Sequence, residues 1–221
     1  MQRIPEPELM DDEAQARAYA NADFEQPHSQ FIALLGARFP ANAWQGHVLD
    51  LGCGPADITL RFARAFPHCQ IDGVDGAEAM LKSGHEAVRW ADLQNRVRLL
   101  HRLLPRDALP VSRYDGIISN SLLHHLADPM VMWDTIRRYG KSAAPVFVMD
   151  LMRPDSGETA AQLVATYAGE EPEVLKRDFY HSLCAAYRPD EIATQLASAG
   201  LATLDIEIVS DRHFIVSGYL P

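Results

Sequence analysis

The chain has 221 residues, of which 20 are Lys or Arg and 30 are Asp or Glu, giving a formal net charge of −10 and a pI near 5.3. An acidic chain is poorly suited to a phosphate backbone, so we expect no nucleic-acid partner. Apolar residues make up 48% and charged residues 23%, which excludes a disordered or fibrous protein and fits one α/β domain.

The beginning of the chain has no apolar signal core, and no stretch approaches the roughly 18 apolar residues of a membrane span. We therefore predict a cytoplasmic protein without a membrane partner. The three cysteines, at positions 53, 69 and 184, lack the spacing of a zinc knuckle or of a disulfide framework.

The N-terminal segment is predicted to contain two helices before the first strand of a sheet. Asp11 or Asp12 can cap a helix that runs to about Ala22, and a second helix is expected over 28–39.

The chain is organised around the stretch 48–57, which has the pattern of a buried strand, a tight turn and the start of a helix. Gly52 and Gly54 lie in the turn, where a residue without a Cβ allows positive φ and lets a ligand come against the main chain. This arrangement places backbone N–H groups at the carboxyl edge of a sheet, where α/β proteins bind nucleotide-like ligands.

A second strand, 70–75, ends in Asp75. An acidic residue about 20 positions after the glycine turn is placed to accept both hydroxyls of an adenosine ribose. Together, the glycine turn and Asp75 predict a nucleoside-binding site.

Asp57 indicates whether the predicted nucleoside site suits a dinucleotide or another adenosine cofactor. In the dinucleotide fingerprint the sixth position is Gly or Ala, but counting from Gly52 the sixth residue is Asp57, and a carboxylate near a pyrophosphate disfavours a dinucleotide. The pattern Asp-x-Gly-x-Gly-x-Ala at 50–56, followed by Asp75, resembles instead the first two motifs of the class I S-adenosylmethionine-dependent methyltransferases. That cofactor carries an ammonium and a sulfonium, so nearby acidic groups suit it.

The resemblance implies roles for several residues. Asp50 would serve the ammonium end of the cofactor, the backbone from Gly52 to Gly54 would approach it closely, and Asp75 would bind the ribose. Related methyltransferases commonly close the pocket with N-terminal helices, so Tyr19 is a candidate contact. A helix packed at the domain edge, with Tyr19 in the core, is the alternative.

The adenosine end of the site is expected between the second and third strands. Gly76 and Met80 stand in a run that resembles the family, where these positions lie along ribose and adenine, although core packing is the alternative for Met80. The third strand, 97–101, departs from the family, because the usual Gly-Asp-Ala that reads the adenine amino group is absent. Main-chain groups near Arg102 and Leu103, or the displaced Asp107, are candidates for that contact; a surface turn residue is the alternative for Asp107.

The fourth strand, 114–120, is apolar enough to be central in a sheet. The run after it, including His-His-Leu-x-Asp-Pro at 124–129, resembles the fourth motif of the family and places Asn120 at the methyl-transfer centre; capping of the next turn is the alternative. An imidazole here could take the proton of a phenol, amine or thiol at neutral pH. His124 and His125 are therefore candidate general bases, unless they only line the site.

The segment that follows the fifth strand (145–151) is too long for an ordinary loop. Two helical runs within it predict a small cap above the carboxyl edge of the sheet, where a substrate has to enter. Arg153 could hold a substrate carboxylate, and Tyr180 and His181 could contact substrate. A structural salt bridge or a half-buried aromatic ring is the alternative for each.

The last elements are a helix over 189–199 and a hairpin formed by 203–209 and 213–220. With short links between strand–helix units, which favour right-handed crossovers, the fold class is α/β: a Rossmann-like seven-stranded, mostly parallel sheet with helices on both faces, an antiparallel last strand and a small helical cap after strand five. The single domain would divide into an N-terminal helical lid (1–44), a cofactor-binding core (45–151), a cap (152–188), and the last helix with the hairpin (189–221).

The function implied is transfer of a methyl group from S-adenosylmethionine to a small-molecule nucleophile by in-line displacement. The cofactor supplies the electrophile, so the protein mainly orients the reactants, and no metal is required. The Ser-Asn-Ser at 119–121 lacks the Asn-Pro-Pro-Tyr pattern of many DNA and protein amide methyltransferases, which favours a small acceptor; a monomer or homodimer is expected. The residues predicted to contact the cofactor are Asp50, Gly52, Cys53, Gly54, Asp75, Gly76, Met80, Asn120 and Tyr19.

Other functions stay open. A catalytically silent cofactor-binding or scaffold protein is one, because the end of the third strand departs from the family. An NAD-dependent oxidoreductase is less favoured, since Asp57 compromises the pyrophosphate turn and no Tyr-x-x-x-Lys spacing is present. The same cofactor could also serve a reaction other than methyl transfer.

Overall fold

The computed structural model describes residues 1–6, 9, 13, 19, 22 and 24–221. The predicted helix that begins at Asp11 or Asp12 falls largely outside these residues. Within the described ranges, none of the helices combines the length and apolar character needed to cross a membrane.

A seven-stranded sheet forms the centre of the molecule. Its strands are β1 (Gly46–Leu51), β2 (Cys69–Asp75), β3 (Val97–His101), β4 (Gly116–Asn120), β5 (Pro145–Leu151), β6 (Asp205–Ile208) and β7 (His213–Tyr219). They lie in the order β3-β2-β1-β4-β5-β7-β6, with β7 antiparallel to both of its neighbours. The predicted fold class is therefore confirmed, including the antiparallel last strand.

The helices lie on both faces of this sheet. They are α1 (Glu25–Arg38), α2 (Asp57–Ala65), α3 (Glu78–Trp90), α4 (Met130–Tyr139), α5 (Gly157–Tyr167), α6 (Glu173–Ala185) and α7 (Pro189–Ala199). Successive residues of a strand point to opposite faces, so β1 contributes Val48 to one core layer with Phe62 of α2. Leu49 and Leu51 of the same strand point the opposite way and pack in the other layer with Trp133 of α4.

The functional edge of the sheet follows from the strand order. β1 pairs with β2 on one side and with β4 on the other, both in parallel register. The chain therefore leaves the carboxyl ends of β1 and β4 in opposite directions and opens a crevice there, the usual ligand position in such sheets. The buried hydroxyl of Ser119 donates to the main-chain oxygen of Leu51 at 2.8 Å, which joins the two strands at this point.

The cap and the first residues of the chain pack together over this crevice. Ala160 of α5 and Leu183 of α6 pack with Leu151 at the end of β5. The N-terminal residues cross to the cap, where the main-chain N–H of Ile4 donates to the carbonyl of Cys184 at 3.0 Å. The start of the chain is thereby held beside the carboxyl edge of the sheet.

Trp44 is the largest side chain in the core layer beneath α1 and α2, and it gives a first test of the fold. It is 2% exposed and meets Phe39 and Phe62 edge to face, at centroid distances of 5.4 and 5.2 Å. Among the described residues its buried indole Nε1 has no hydrogen-bond partner.

Replacing Trp44 separates its packing from its polar N–H group. We expect Trp44→Ala to lower the free energy of unfolding by about 3 to 5 kcal/mol, because it leaves a large cavity. Trp44→Phe should cost under about 1.5 kcal/mol, since it keeps most of the apolar volume and removes a buried, unpaired donor. Urea unfolding of the two variants measures this difference, and equal losses would contradict it.

Candidate active site

The glycine turn after β1 is held by main-chain hydrogen bonds to β2. Gly52 and Cys53 both donate their N–H groups to the carbonyl of Val74, at 2.9 and 3.1 Å. Gly52 and Gly54 have φ of +70° and +51°, in the left-handed region that glycine adopts without strain. The turn therefore lies against the end of the neighbouring strand, as the sequence pattern indicated.

Asp75 ties this turn to the start of α3. Its carboxylate accepts N–H bonds from Gly54 and Ala77, each at 2.8 Å. Burial raises the pKa of Asp75, although these N–H groups oppose the rise. A carboxylate offers about four lone-pair sites, so Asp75 keeps acceptor capacity for a ligand.

The two glycines of the turn face different surroundings. A Cβ on Gly52 would lie 2.8 Å from side-chain atoms of Leu122, so this glycine is needed for packing within the protein. A Cβ on Gly54 would meet no described atom within 4 Å. Gly54 therefore presents bare backbone to open space.

Asp50 lies at the bottom of this space and is only 1% exposed. The hydroxyl of Thr59 donates to its Oδ2 at 2.6 Å. Burial raises the pKa of Asp50 to about 7, with the negative charge of Asp75 adding to the effect and the Thr59 hydrogen bond opposing it. A buried carboxyl in this condition is stabilised in its charged form by a cationic ligand.

A cleft of about 80 Å³ adjoins the turn. Asp75 and Gly76, also predicted to contact the cofactor, do not line it. Seven of the residues predicted to contact the cofactor do line it: Tyr19, Asp50, Gly52, Cys53, Gly54, Met80 and Asn120.

The expected adenosine end is covered in this structure. A Cβ on Gly76 would lie 2.8 Å from Leu9 and 3.0 Å from Leu103, so both leucine side chains rest against this glycine. The main-chain N–H of Leu103 donates to the carboxylate of Asp107 at 2.9 Å. The two groups predicted as alternative adenine contacts are thus bonded to each other.

A larger cavity, of about 550 Å³, lies under the cap and meets the cleft. Five residues line both spaces, and they mark the junction: Tyr19, His28, Asn120, Ser121 and His125.

One face of α6 forms the roof of this cavity. Leu175, Phe179 and Ser182 line it, at the spacing of four and three residues that places side chains on one helical face. Tyr180 and His181, predicted as substrate contacts, do not line it: Tyr180 packs in the cap and His181 is exposed. The helix that carries the two predicted residues lines the cavity, but through other residues.

Arg153 also lies away from the cavity. It is 6% exposed, and its guanidinium donates to the carbonyl of Ala186 at 2.9 Å and to the carboxylate of Glu191 at 2.6 Å. These bonds make it the structural salt bridge that the sequence left open as an alternative. We do not retain Arg153 as a substrate ligand.

His124 and His125 lie together on the wall of the cavity, near two carboxylates. His124 is 2% exposed, and its Nδ1 lies 2.5 Å from Oδ1 of Asp150. The Oε1 atom of Glu6 lies 3.7 Å from Nε2 of His124 and 3.2 Å from Nδ1 of His125. Our reading of the sequence missed both acids; Asp150 had a signal, as a carboxylate inside an otherwise apolar strand, but Glu6 had none.

Asp57, the residue that disfavoured a dinucleotide, stands at the mouth of the cleft. It lies 2.5 Å from Nδ1 of His28 and accepts a 2.7 Å bond from Arg61. Burial opposes its ionisation, but the hydrogen bonds from His28 and Arg61 outweigh burial and lower its pKa. The ionised carboxylate of Asp57 therefore lines the cleft beside the glycine turn.

Comparison with known proteins agrees with this geometry. Residues 48–142 match the family model described as a methyltransferase domain. Less than half of the chain is matched, so it is this stretch that is similar to the methyltransferases, the family that the sequence pattern resembles. The resemblance of its glycine turn and acidic strand end to that family is confirmed.

The chain is similar to a trans-aconitate 2-methyltransferase of Variovorax paradoxus, with 32% identity over 57% of this chain and 45% of the relative. The chain thus spans about half the length of the curated relatives it matches.

Two solved structures share the fold of this chain. A SAM dependent methyltransferase from Aquifex aeolicus has a TM-score of 0.67 at 17% identity, with 95% of this chain and 99% of that chain covered. A plantazolicin methyltransferase in complex with a triazolic desmethylPZN analog and SAH has a TM-score of 0.70 at 14% identity, with 94% and 92% covered.

Proposed function

We propose that this protein is a methyltransferase that transfers the methyl group of S-adenosylmethionine to a small-molecule nucleophile held in the cavity under the cap. The observation that carries the proposal is the junction of the two spaces. The cleft beside Gly54 and the cavity of about 550 Å³ meet at Asn120 and Ser121. A methyl group bound at the cleft would therefore face an acceptor bound in the cavity.

The residues around the cleft fit the methionine end of the cofactor. The absence of a side chain at Gly54 leaves room for a ligand against the main chain. The buried carboxyl of Asp50 suits an ammonium group, and Asp75 has acceptor sites for ribose hydroxyls. The cleft itself is smaller than the cofactor, so the adenosyl end would take the place of Leu9 beside Gly76.

The bound cofactor would supply the electrophilic carbon. The chain then has to hold the acceptor atom about 3 Å from that carbon, in line with the bond that breaks, and to exclude water. Tyr19 and His28 line the junction and would close it from the solvent side. Of the two candidate bases, His125 lines both cleft and cavity, whereas His124 lines the cavity alone.

The charges of the cavity wall indicate the class of acceptor. Glu25, Glu171 and Asp178 line it, together with the aromatic rings of Phe24 and Phe179. Ion pairs with Arg61 and Arg177 offset the charges of Glu25 and Asp178, so Glu171 and the aromatic rings carry the preference for a neutral or cationic acceptor with an apolar body.

The guanidinium in the cavity wall, Arg212, is already engaged. It donates to Asp211 at 2.9 Å and lies 3.3 Å above the ring of Tyr167. An acceptor with several carboxylates, such as trans-aconitate, is therefore disfavoured here.

Cofactor binding tests this function directly. We expect calorimetric titration with S-adenosylhomocysteine to give one-to-one binding, and Asp75→Ala to weaken it at least about tenfold, because charge-assisted hydrogen bonds contribute about 1.5 to 3 kcal/mol each. Glu86→Ala removes an exposed acid on α3 and should leave the affinity unchanged.

A parallel titration with NAD distinguishes the alternatives. Binding of NAD without binding of S-adenosylhomocysteine would overturn the assignment of the cofactor. Binding of neither would favour the scaffold function, because Leu9 and Leu103 would then keep the adenosine end closed. Binding of S-adenosylhomocysteine alone directs the search to neutral or cationic small acceptors.

A further inference from the structure

The cluster of Glu6, His124 and His125 has the arrangement of a metal site. One ligand atom from each residue, a carboxylate oxygen and two imidazole nitrogens, lies within 4.8 Å of the others. Tetrahedral zinc with bonds of about 2.0 to 2.2 Å separates its ligand atoms by about 3.3 to 3.6 Å. The distances from Glu6 Oε1 to the two imidazoles, 3.7 and 3.2 Å, are close to that range.

A second carboxylate orients one of these imidazoles. Nδ1 of His124 is bonded to Asp150, which turns Nε2 towards Glu6. Asp150 is itself fixed by N–H bonds from Leu123 and Leu151, each at 2.7 Å. A metal-binding histidine usually donates its other ring N–H to a carboxylate in this way.

The charge of the cluster also calls for a cation. Asp150 is buried and Glu6 is largely covered, with exposed side-chain fractions of 1% and 10%. Among the described residues, the buried Oε1 atom of Glu6 accepts no hydrogen bond, while Ser182 donates to Oε2 at 3.4 Å. The nearby guanidinium of Arg3 bonds main-chain carbonyls, including that of His124, and not these carboxylates. Buried carboxylates with open acceptor sites are stabilised by a bound cation.

We propose that Glu6, His124 and His125 bind a divalent transition-metal ion of the zinc type. Two imidazoles and one carboxylate are the ligands of zinc sites that keep a fourth position open. Both imidazoles line the cavity, so the open position faces it and is suited to an oxygen atom of water or of a bound molecule. His124 and His125 then act as ligands instead of general bases.

The first residues of the chain complete this site. Two hydrogen bonds, from Ile4 to Cys184 and from Ser182 to Glu6, hold the glutamate beside the two imidazoles. Metal binding would therefore fasten the N-terminal segment to the cap and to the carboxyl edge of the sheet. The proposal does not depend on methyl transfer.

Zinc content and thermal stability test the site without an activity assay. The full chain is stripped with a chelator, equilibrated with Zn²⁺, freed of excess metal and analysed by mass spectrometry. We expect one zinc per chain and a rise in the melting temperature. Glu6→Gln should lower the zinc affinity more than about tenfold, and Asp150→Asn by about 10- to 100-fold through the orientation of His124.

Matched variants keep the test decisive. His85→Asn removes an exposed imidazole of α3, outside this cluster, and should retain the full zinc content. Glu6→Gln changes no buried volume, and circular dichroism checks that each variant is folded. No stoichiometric zinc in the wild-type chain, or equal zinc in Glu6→Gln, would overturn the site. Because zinc is measured without cofactor, failure of the proposed methyl transfer would leave this result independent.

Discussion

Asp50→Asn is expected to stabilise the protein in the absence of ligand and to remove most of its affinity for the cofactor. Asp50 is 1% exposed, and burial raises its pKa to about 7. An unfolded chain has an Asp pKa of about 3.9, so the folded state binds this proton more tightly. The resulting contribution is fully present below about pH 4 and is lost as the pH rises through about 7.

The size of this effect is bounded by the difference between the two pKa values. Three units correspond to about 4 kcal/mol of unfolding free energy, which the wild-type chain loses on going from acidic to alkaline solution. Asp50→Asn has no carboxyl to ionise at this position, so its unfolding free energy should fall less over the same pH range. Urea unfolding at about pH 5 and about pH 8.5 measures both slopes, and parallel slopes would show that Asp50 is not the group responsible.

Cofactor binding should depend on pH in the opposite sense. The ammonium of the ligand favours ionised Asp50, so at about pH 6 binding should release a proton and should tighten as the pH rises towards about 8. Calorimetry in two buffers of different ionisation enthalpy counts the proton. Asp50→Asn should bind at least about tenfold more weakly, with no proton released by this group. Proton uptake on binding would contradict the assigned role.

Gly52→Ala and Gly54→Ala should separate stability from binding within one turn. Both residues have positive φ, which costs a residue with a Cβ about 1 to 2 kcal/mol. At Gly52 the added Cβ also meets Leu122 at 2.8 Å, and overpacking adds about 1 to 3 kcal/mol. We expect Gly52→Ala to lose about 2 to 5 kcal/mol of unfolding free energy and Gly54→Ala about 1 to 2.

The effect on ligand binding should be reversed between the two positions. The Cβ at Gly54 would enter the cleft where the main chain is bare. Gly54→Ala should therefore lower the affinity for S-adenosylhomocysteine at least about tenfold, while the variant remains folded. Unfolding and calorimetric titration of the same two preparations provide the comparison. Unchanged affinity in Gly54→Ala would place the ligand elsewhere, and a stable Gly52→Ala would show that Leu122 can move.

Much of the fold followed from local pattern. The strand 145–151 was predicted at the bounds observed, because a strand buried on both faces has a nearly continuous apolar run. The edge strand 97–101 was also predicted at its observed bounds, although exposed residues interrupt its buried ones. The glycine turn and Asp75 were found for a similar reason. Their chemistry depends on residues that stand at the ends of consecutive strands, and parallel strands bring those ends to one edge of the sheet.

The wall of the larger cavity was decided by packing between distant segments. Which face of α6 turns inward depends on how α5 and Leu151 pack against it, so sequence reasoning named Tyr180 and His181 instead of Phe179 and Ser182.

Arg153 shows that local sequence also does not reveal which charged residues pair with each other. Its partner, Glu191, lies 38 residues away, and no local pattern pairs the two. Glu6 reaches His124 from the far end of the chain, across a separation that only tertiary contacts close. The sequence thus determined the sheet, the turn and the class of cofactor, because these arise within consecutive elements. The tertiary structure decided the wall of the larger cavity and the histidine cluster, because their members meet only through long-range packing.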